Sequence, residues 1–274
     1  MALRDAPPVD DQELAEEPEQ RPEGRRRLLR RQEGSESKVM LFLLPVLVAL
    51  VFAGYVWWRQ AAHLDAIEES ALNWQKVGSQ ALQHVELTVV SSLVTVLVAI
   101  PLGIAVTRGP LRKVAPAVTI LANAGQSAPS IGLIVLLAMW WGFSFWTAVW
   151  ALTLYAILPV LRNTITGLQG VDPTLVEAGR GIGMSAPTVL LRIELPLALP
   201  VIMAGVRTAL VLVVGTAALA TFINAGGLGG TLYSGITLYR FPVIVSAAVL
   251  IALLALLVEW VGRVLEVVFR PKGI

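Results

Sequence analysis

The sequence predicts an all-α fold, a polytopic bundle of membrane-spanning helices. Of the 274 residues, 56% are apolar and only 15% are charged, and the mean hydropathy is +0.73. Soluble domains carry about 25% charged residues. The charges are also unevenly placed, because 10 of the 19 acidic residues precede Val39 and only three lie between Leu87 and Val258. The rest of that region can therefore enter lipid at little cost.

Six segments are long and apolar enough to cross a bilayer, which takes about 20 helical residues. Small residues recur along these segments, and in lipid they allow helices to approach one another closely. We therefore expect about six transmembrane helices. The predicted spans are residues 39–58, 87–107, 118–140, 144–161, 199–223 and 241–261.

The basic residues near the helix ends predict the orientation in the membrane. If the N-terminus is inside, only Arg59, Lys76 and Arg240 flank the helices on the outer side. Both termini are therefore expected in the cytoplasm. A secretory signal peptide is the competing interpretation of the N-terminal region, but its apolar run starts late and follows many acidic residues.

The predicted division is a disordered cytoplasmic tail at 1–38, a first transmembrane helix at 39–58, an extracytoplasmic loop at 59–86, the main transmembrane domain at 87–265 with a cytoplasmic loop at 162–196, and a cytoplasmic tail at 266–274.

Composition excludes several kinds of chemistry. The chain has no cysteine and two histidines, so it can form no disulfide, thiolate metal site or histidine-rich metal site. An intramembrane enzyme or an ion-driven carrier is a second hypothesis, but each needs reactive or titratable side chains inside the bundle. From Leu87 onward, the apolar segments contain no Asp or Glu before Glu259. We therefore expect no catalytic residue and no bound metal in this chain.

The chain also lacks the G-x-x-x-x-G-K-[ST] loop that holds phosphates in nucleotide-binding proteins. Its glycine run at 226–230 is followed by Thr231 without a lysine and lies on the predicted outer side. Any ATP-dependent step must therefore use a nucleotide site on another polypeptide.

The cytoplasmic loop at 162–196 carries signals for two short helices. Asp172 is a favourable N-cap, Pro173 suits the first helical position, and Gly183 can close the helix with a left-handed turn. A second helix can start at Ser185, with Pro187 in its first turn. The sequence therefore predicts a compact helical projection on which a cytosolic partner could dock.

This loop resembles that of permease subunits of bacterial ATP-binding-cassette importers. The family pattern is Glu-Ala-Ala, three residues, Gly, nine residues, Ile-x-Leu-Pro. In that family the loop is a coupling helix that sits in a cleft of the ATPase subunit, which implies the same role here. The alternative is a plain inter-helix loop in which glycine and prolines only end helices. The pattern falls with its spacing intact on Glu177, Ala178, Gly183, Ile193, Leu195 and Pro196, and it departs at Gly179, where the family has a second Ala.

Three further stretches resemble the osmoprotectant branch of these permeases. They are residues 126–130, 154–167 and 225–229, and the whole resemblance covers about residues 84–265. This resemblance implies an importer of glycine betaine, choline, carnitine or proline betaine. An importer of another small solute, such as an amino acid or a betaine-like thiol compound, is the alternative.

The resemblance also implies the partners and the location of the chain. The partners would be two ATPase subunits that bind ATP and Mg, a second permease copy or a homologue, and an extracytoplasmic binding protein that largely selects the solute. The chain itself would bind no cofactor. Its place would be the bacterial cytoplasmic (inner) membrane, and the arginines at 25–31 are expected to touch anionic lipid rather than nucleic acid.

Two regions are candidates for the transport pathway or its gate. Gln126 and Pro129 interrupt apolar sequence, and such positions tend to line water-filled paths, although a satisfied helix end is the alternative. The glycine run at 226–230 suits a gate, a surface for the binding protein, or a flexible loop. Tryptophans near the outer helix ends are interpreted as an interfacial belt rather than as a cation site. The candidate pathway or gate residues are Gln126, Pro129, Asn163, Gly226, Gly227 and Gly229.

Overall fold

The structure is a computed structural model that describes the backbone of residues 22–269 and the side chains of residues 41–124 and 126–269. The described backbone is helical and contains no strand, which confirms the predicted fold class. The predictions for residues 1–21 and 270–274 lie outside the described residues.

Eleven α-helices make up the described chain. A π-helical turn at Leu190–Glu194 joins α8 to α9, and 3-10 turns occupy Gly109–Val114 and Ala218–Ile223. The α-helices are α1 (Pro22–Ala61), α2 (Ala66–Ala71), α3 (Trp74–Val106), α4 (Ala115–Ser127), α5 (Ser130–Trp141), α6 (Phe145–Gln169), α7 (Pro173–Gly181), α8 (Ala186–Val189), α9 (Leu195–Ala217), α10 (Gly229–Thr237) and α11 (Phe241–Phe269).

Five helical segments in the described residues are long and apolar enough to cross a membrane. They are Leu41–Ala61, Trp74–Val106, Phe145–Gln169, Ala186–Ile223 and Phe241–Phe269, and each covers most or all of one predicted span.

The predicted third span, residues 118–140, is not one helix. The chain is extended at Ala128 and Pro129 (ψ 145° and 123°), so the segment divides into α4 and α5. Proline has no N–H to donate and disfavours helical geometry in the residue before it. The prediction of one continuous helix there was wrong because hydropathy measures compatibility with lipid, not helix continuity.

Several helices also extend beyond the predicted spans. Helix α3 begins at Trp74, where the Asn73 side chain accepts the N–H of Gln75, so much of the predicted loop at 59–86 is helical. Helix α6 continues to Gln169, into the predicted loop at 162–196. Helix α1 (Pro22–Ala61) includes residues 22–38, part of the segment for which the sequence predicts a disordered tail. Arg, Lys, Gln and Glu favour helix without being apolar, which explains these differences.

Close contacts at small residues join the central helices. Helix α6 packs against both α3 and α9. A Cβ atom at Gly103 of α3 would lie 2.7 Å from Thr164 Cγ2, and one at Gly205 of α9 would lie 2.6 Å from Pro159 O. Because lipid provides no hydrophobic force between helices, such close packing is a main source of stability in the bundle.

Helix α11 is joined to α9 by a cluster of charges. Arg207 of α9 lies 2.9 Å from Glu266 and 3.6 Å from Glu259, and Arg263 lies 3.0 Å from Glu259. These pairs balance the charge of Arg207, which would be costly if it stood alone at membrane depth.

Two glycines of α9 provide a direct test of this packing. We expect Gly205→Ala to destabilise the bundle by about 1–3 kcal/mol, because the added methyl group meets Pro159 O and Asn163. Gly215→Ala is the matched control, since a Cβ atom there meets nothing within 4 Å, and helix propensity favours alanine by up to about 1 kcal/mol. Thermal unfolding of the purified chains in one detergent measures both effects. Equal midpoints for the two variants would contradict the packing account.

Candidate functional site

Helix α7 begins as its sequence predicts. The Asp172 side chain accepts the N–H of Thr174 at 2.9 Å, and Pro173 takes the first helical position. The same hydrogen bond lowers the pKa of Asp172 below its ordinary value. The cap is therefore ionised at neutral pH and fixes where α7 starts.

Helix α7 ends in a Schellman motif. The Met184 N–H donates to Gly179 O at 3.1 Å, the Gly183 N–H donates to Arg180 O at 2.9 Å, and Gly183 has a φ of +86°. This left-handed conformation favours glycine. Helix α8 follows with Ser185 at its N-cap, so the predicted pair of short helices with a glycine turn is confirmed. We call residues 172–189 the α7–α8 knob.

The departure of Gly179 from the family pattern has a structural reason. Gly179 is buried, and a Cβ atom there would lie 2.6 Å from Ile193 Cδ1 and 3.5 Å from Val189 Cγ2. Two of the predicted site residues, Gly179 and Ile193, therefore pack against each other. An alanine at position 179 would require the Ile193 side chain to move.

The other pattern residues divide between the surface of the knob and the start of α9. Glu177, Ala178 and Gly183 are exposed, and Ile182 beside them is a large apolar side chain with 77% exposure. Leu195 and Pro196 are half-buried and open α9. One face of α7 is thus fixed by packing while the other is free for contact.

An ion pair with a buried carboxylate joins this loop to the chain just after α3. Glu194 is only 4% exposed, and both of its carboxylate oxygens accept hydrogen bonds from the Arg108 guanidinium. Arg108 lies two residues beyond the end of α3, and Glu194 directly precedes α9. The family pattern does not predict this pair, because Glu194 occupies its variable position. A lone carboxylate between apolar residues was the available signal.

A cavity of about 390 Å³ opens beside the knob. Charged side chains line much of it, together with backbone and apolar groups from α6 and α7. An apolar ligand would lose hydration of these charges without replacing it, so the cavity suits polar side chains of a docking protein. Its charged lining residues are Arg108, Arg112, Glu177, Arg180 and Glu194.

Three of the candidate pathway residues, Gln126, Pro129 and Asn163, lie in two different places. Gln126 is half-buried near the end of α4, and Pro129 is exposed at the break before α5. Asn163 is half-buried in α6 and faces Gly205 of α9, where its Nδ2 leaves no room for a Cβ atom. The structure therefore places Asn163 at a helix contact and the other two at a helix break.

The glycine run at 226–230, which we call the outer glycine segment, is held against α3. Gly226 and Gly227 have φ values of +87° and +95°, and the Gly227 N–H donates to Gln83 Oε1 at 3.1 Å. A Cβ atom at Gly229 would overlap the Ala218 carbonyl group. Fully buried His84 lies under Gly227, and its Nε2 is 2.9 Å from Val214 O. These glycines thus serve tight turns and close packing.

Comparisons with known proteins agree with this architecture. A family model described as "Binding-protein-dependent transport system inner membrane component" matches residues 99–270. The glycine betaine/carnitine/choline transport system permease protein OpuCB of Bacillus subtilis is 38% identical over 192 residues, covering 70% of this chain and 88% of the relative. The osmoprotectant import permease protein OsmW of Salmonella typhimurium is 37% identical over 216 residues, covering 77% of this chain and all of the relative.

A solved structure shares the fold. A chain of the inward-facing MetNI methionine ABC transporter superposes with a TM-score of 0.64 at 24% identity, covering 72% of this chain and 97% of the other.

The Arg108–Glu194 pair can be tested against a neighbouring arginine. We expect Arg108→Ala to destabilise the protein by about 1–3 kcal/mol, because it leaves a buried carboxylate without its partner. The Arg108 side chain is 38% exposed, so the loss of stability should be smaller than for a fully buried pair. Arg112→Ala is the control, since exposed Arg112 has no ion pair among the described residues. Thermal unfolding gives the stability, and hydrogen exchange of residues 173–194 locates the effect. Similar losses in both variants would refute the role of the pair.

Proposed function

Because the chain belongs to the binding-protein-dependent transport system inner membrane components, we propose that it is the permease subunit of an ATP-driven importer for quaternary-amine osmoprotectants such as glycine betaine, choline or carnitine. Membership of this family means that the chain is a transport component of the bacterial inner membrane. The solute class rests on the names of relatives that align over most of their own length.

Energy enters this permease at the α7–α8 knob. The observation that supports this most strongly is the division of the knob into a packed face and a free face. Gly179 anchors α7 against Ile193, while Glu177, Ala178 and Gly183 remain exposed. A docked ATPase can therefore push on α7 without deforming it.

The transport cycle requires partners that supply the remaining functions. Two ATPase subunits bind ATP and Mg, and their closure moves the knobs of two permeases, either two copies of this chain or one copy and a homologue. The α6 and α9 ends beside each knob transmit that movement to the bundle. An extracytoplasmic binding protein delivers the solute to the outer side, and this chain needs no cofactor of its own.

The solute path and its gate use the two regions at the helix break and the glycine segment. At the break, Gln126 and Pro129 bring polar and non-helical backbone to membrane depth, which is tolerated where it is buried in protein or lines a water-filled cavity. Asn163 adds a half-buried amide on α6. On the outer side Gly226, Gly227 and Gly229 form a tight segment against α3. A change in the distance between α3 and α9 would have to move this segment, as a gate requires.

Gly183 offers a test of the docking role. We expect Gly183→Arg to abolish ATP-driven uptake and the co-purification of the ATPase while membrane insertion is retained, because a Cβ atom there points into open space and the long side chain would block the partner. The left-handed φ also strains any residue with a side chain. Gly183→Asn controls for that strain, since Asn tolerates this region with little added bulk, and it should retain both ATPase and uptake.

The measurement uses the tagged complex reconstituted in proteoliposomes with labelled choline or glycine betaine. Uptake should require ATP, and a proton gradient alone should not support it. Normal uptake by Gly183→Arg would refute the docking role. Uptake driven by the gradient alone would refute the ATP-driven importer, and uptake only of another small solute would refute the quaternary-amine assignment.

A further inference from the structure

A second cavity lies at the predicted outer end of the bundle, away from the knob. Its volume is about 370 Å³, and it opens between α3, the start of α6 and the turn before α10. The lining residues are Gln83, Glu86, Phe145, Asn224, Ala225 and Gly226.

Glu86 gives this cavity its charge. It is the only charged residue in the lining, it is exposed, and it has no ion pair among the described residues. It also directly precedes Leu87, where the apolar part of α3 begins. An uncompensated carboxylate at the edge of the membrane is unfavourable unless water or a cation meets it.

The basic residues of the outer side do not neutralise Glu86. Arg59 donates to Leu72 O and lies 4.6 Å from the centre of the Trp74 ring, and Arg240 pairs with Asp65. Lys76 lies ten positions earlier in α3, which is about 15 Å along the helix. The cavity therefore keeps a negative potential that attracts cations.

The remaining lining groups suit an organic cation with a polar end. Phe145 is half-buried, packs against the apolar core and makes an edge-to-face contact with Trp146, with the ring centroids 5.7 Å apart. An aromatic ring attracts a quaternary ammonium through its π-face. Gln83 and Asn224 add amide groups that can bond to a hydroxyl or carboxylate of the solute.

From this combination we propose that the outer cavity is a transient binding site for the quaternary ammonium group of the transported solute. Glu86 supplies the charge and Phe145 supplies the ring. The site is open to solvent, so it binds weakly and passes the solute on rather than retaining it. This proposal rests on the proposed function, because it assumes that the solute is a quaternary amine.

Direct binding tests the site without the binding protein. The probe is choline, and saturation-transfer NMR on the purified permease–ATPase complex detects weak binding through its methyl protons. We expect a signal for wild type that falls about fivefold in Glu86→Gln, as for the loss of a partly exposed charge contact, and that also falls in Phe145→Leu, which keeps an apolar side chain but removes the ring. The neutral isostere 3,3-dimethyl-1-butanol should give little signal in any of them.

Glu69→Gln is the matched control. Glu69 is an exposed glutamate of α2 that does not line the cavity, so its loss changes the net charge equally but should leave choline binding unchanged. Equal choline signals for wild type and Glu86→Gln, or equal losses in Glu86→Gln and Glu69→Gln, would overturn the proposal.

Uptake in proteoliposomes distinguishes a failure of the outer site from a failure of the proposed function. Glu86→Gln should slow ATP-driven choline uptake while the ATPase still co-purifies. If wild type transports quaternary amines and Glu86→Gln transports them equally well, only the outer site is refuted. If wild type transports no quaternary amine, the proposed function itself fails.

Discussion

The close approach of α6 to α9 is the constraint on which the rest of the structure depends. It is possible only because glycine stands at the contact points, as at Gly205, where Pro159 O leaves no room for a methyl group, and at Gly167, where a Cβ atom would lie 3.1 Å from Ala198 O. Helices α7 and α8 lie between α6 and α9 in the chain. The packing of α6 on α9 therefore holds both ends of the knob in place.

A knob with fixed ends can transmit force, whereas a loose loop would absorb it. The cap at Asp172 and the turn at Gly183 define the ends of α7, and the Gly179–Ile193 contact secures its inner face. The Arg108–Glu194 pair then connects the same segment to α3. A displacement of α7 must therefore move α3, α6 and α9 or break one of these contacts, and leaving the buried Glu194 carboxylate without its partner is costly.

Most of the helical segments and the knob could be predicted from the sequence, because long apolar runs and capping residues act locally. Pro129 could be recognised as an interruption of apolar sequence, but the predicted span still ran through it because apolar residues continue on both sides. Pairs such as Arg108 with Glu194 join residues far apart in the chain, and no local pattern states which charges meet. Arg207 is an intermediate case, since Glu259, Arg263 and Glu266 lie four and three residues apart, on one face of a helix, and this spacing could have indicated a charged face for Arg207.

Helix α3 connects the two ends of the molecule. It has 33 residues and is therefore about 50 Å long. Near its outer end it carries Gln83 and His84, which hold the glycine segment and α9, and Glu86, which lines the outer cavity. At its inner end it leads directly to Arg108 and the buried pair with Glu194. One helix thus lines the outer cavity near one end and leads at the other to the residue that pairs with Glu194. Helix α3 is therefore the element through which the proposed outer site and the knob are connected in the structure.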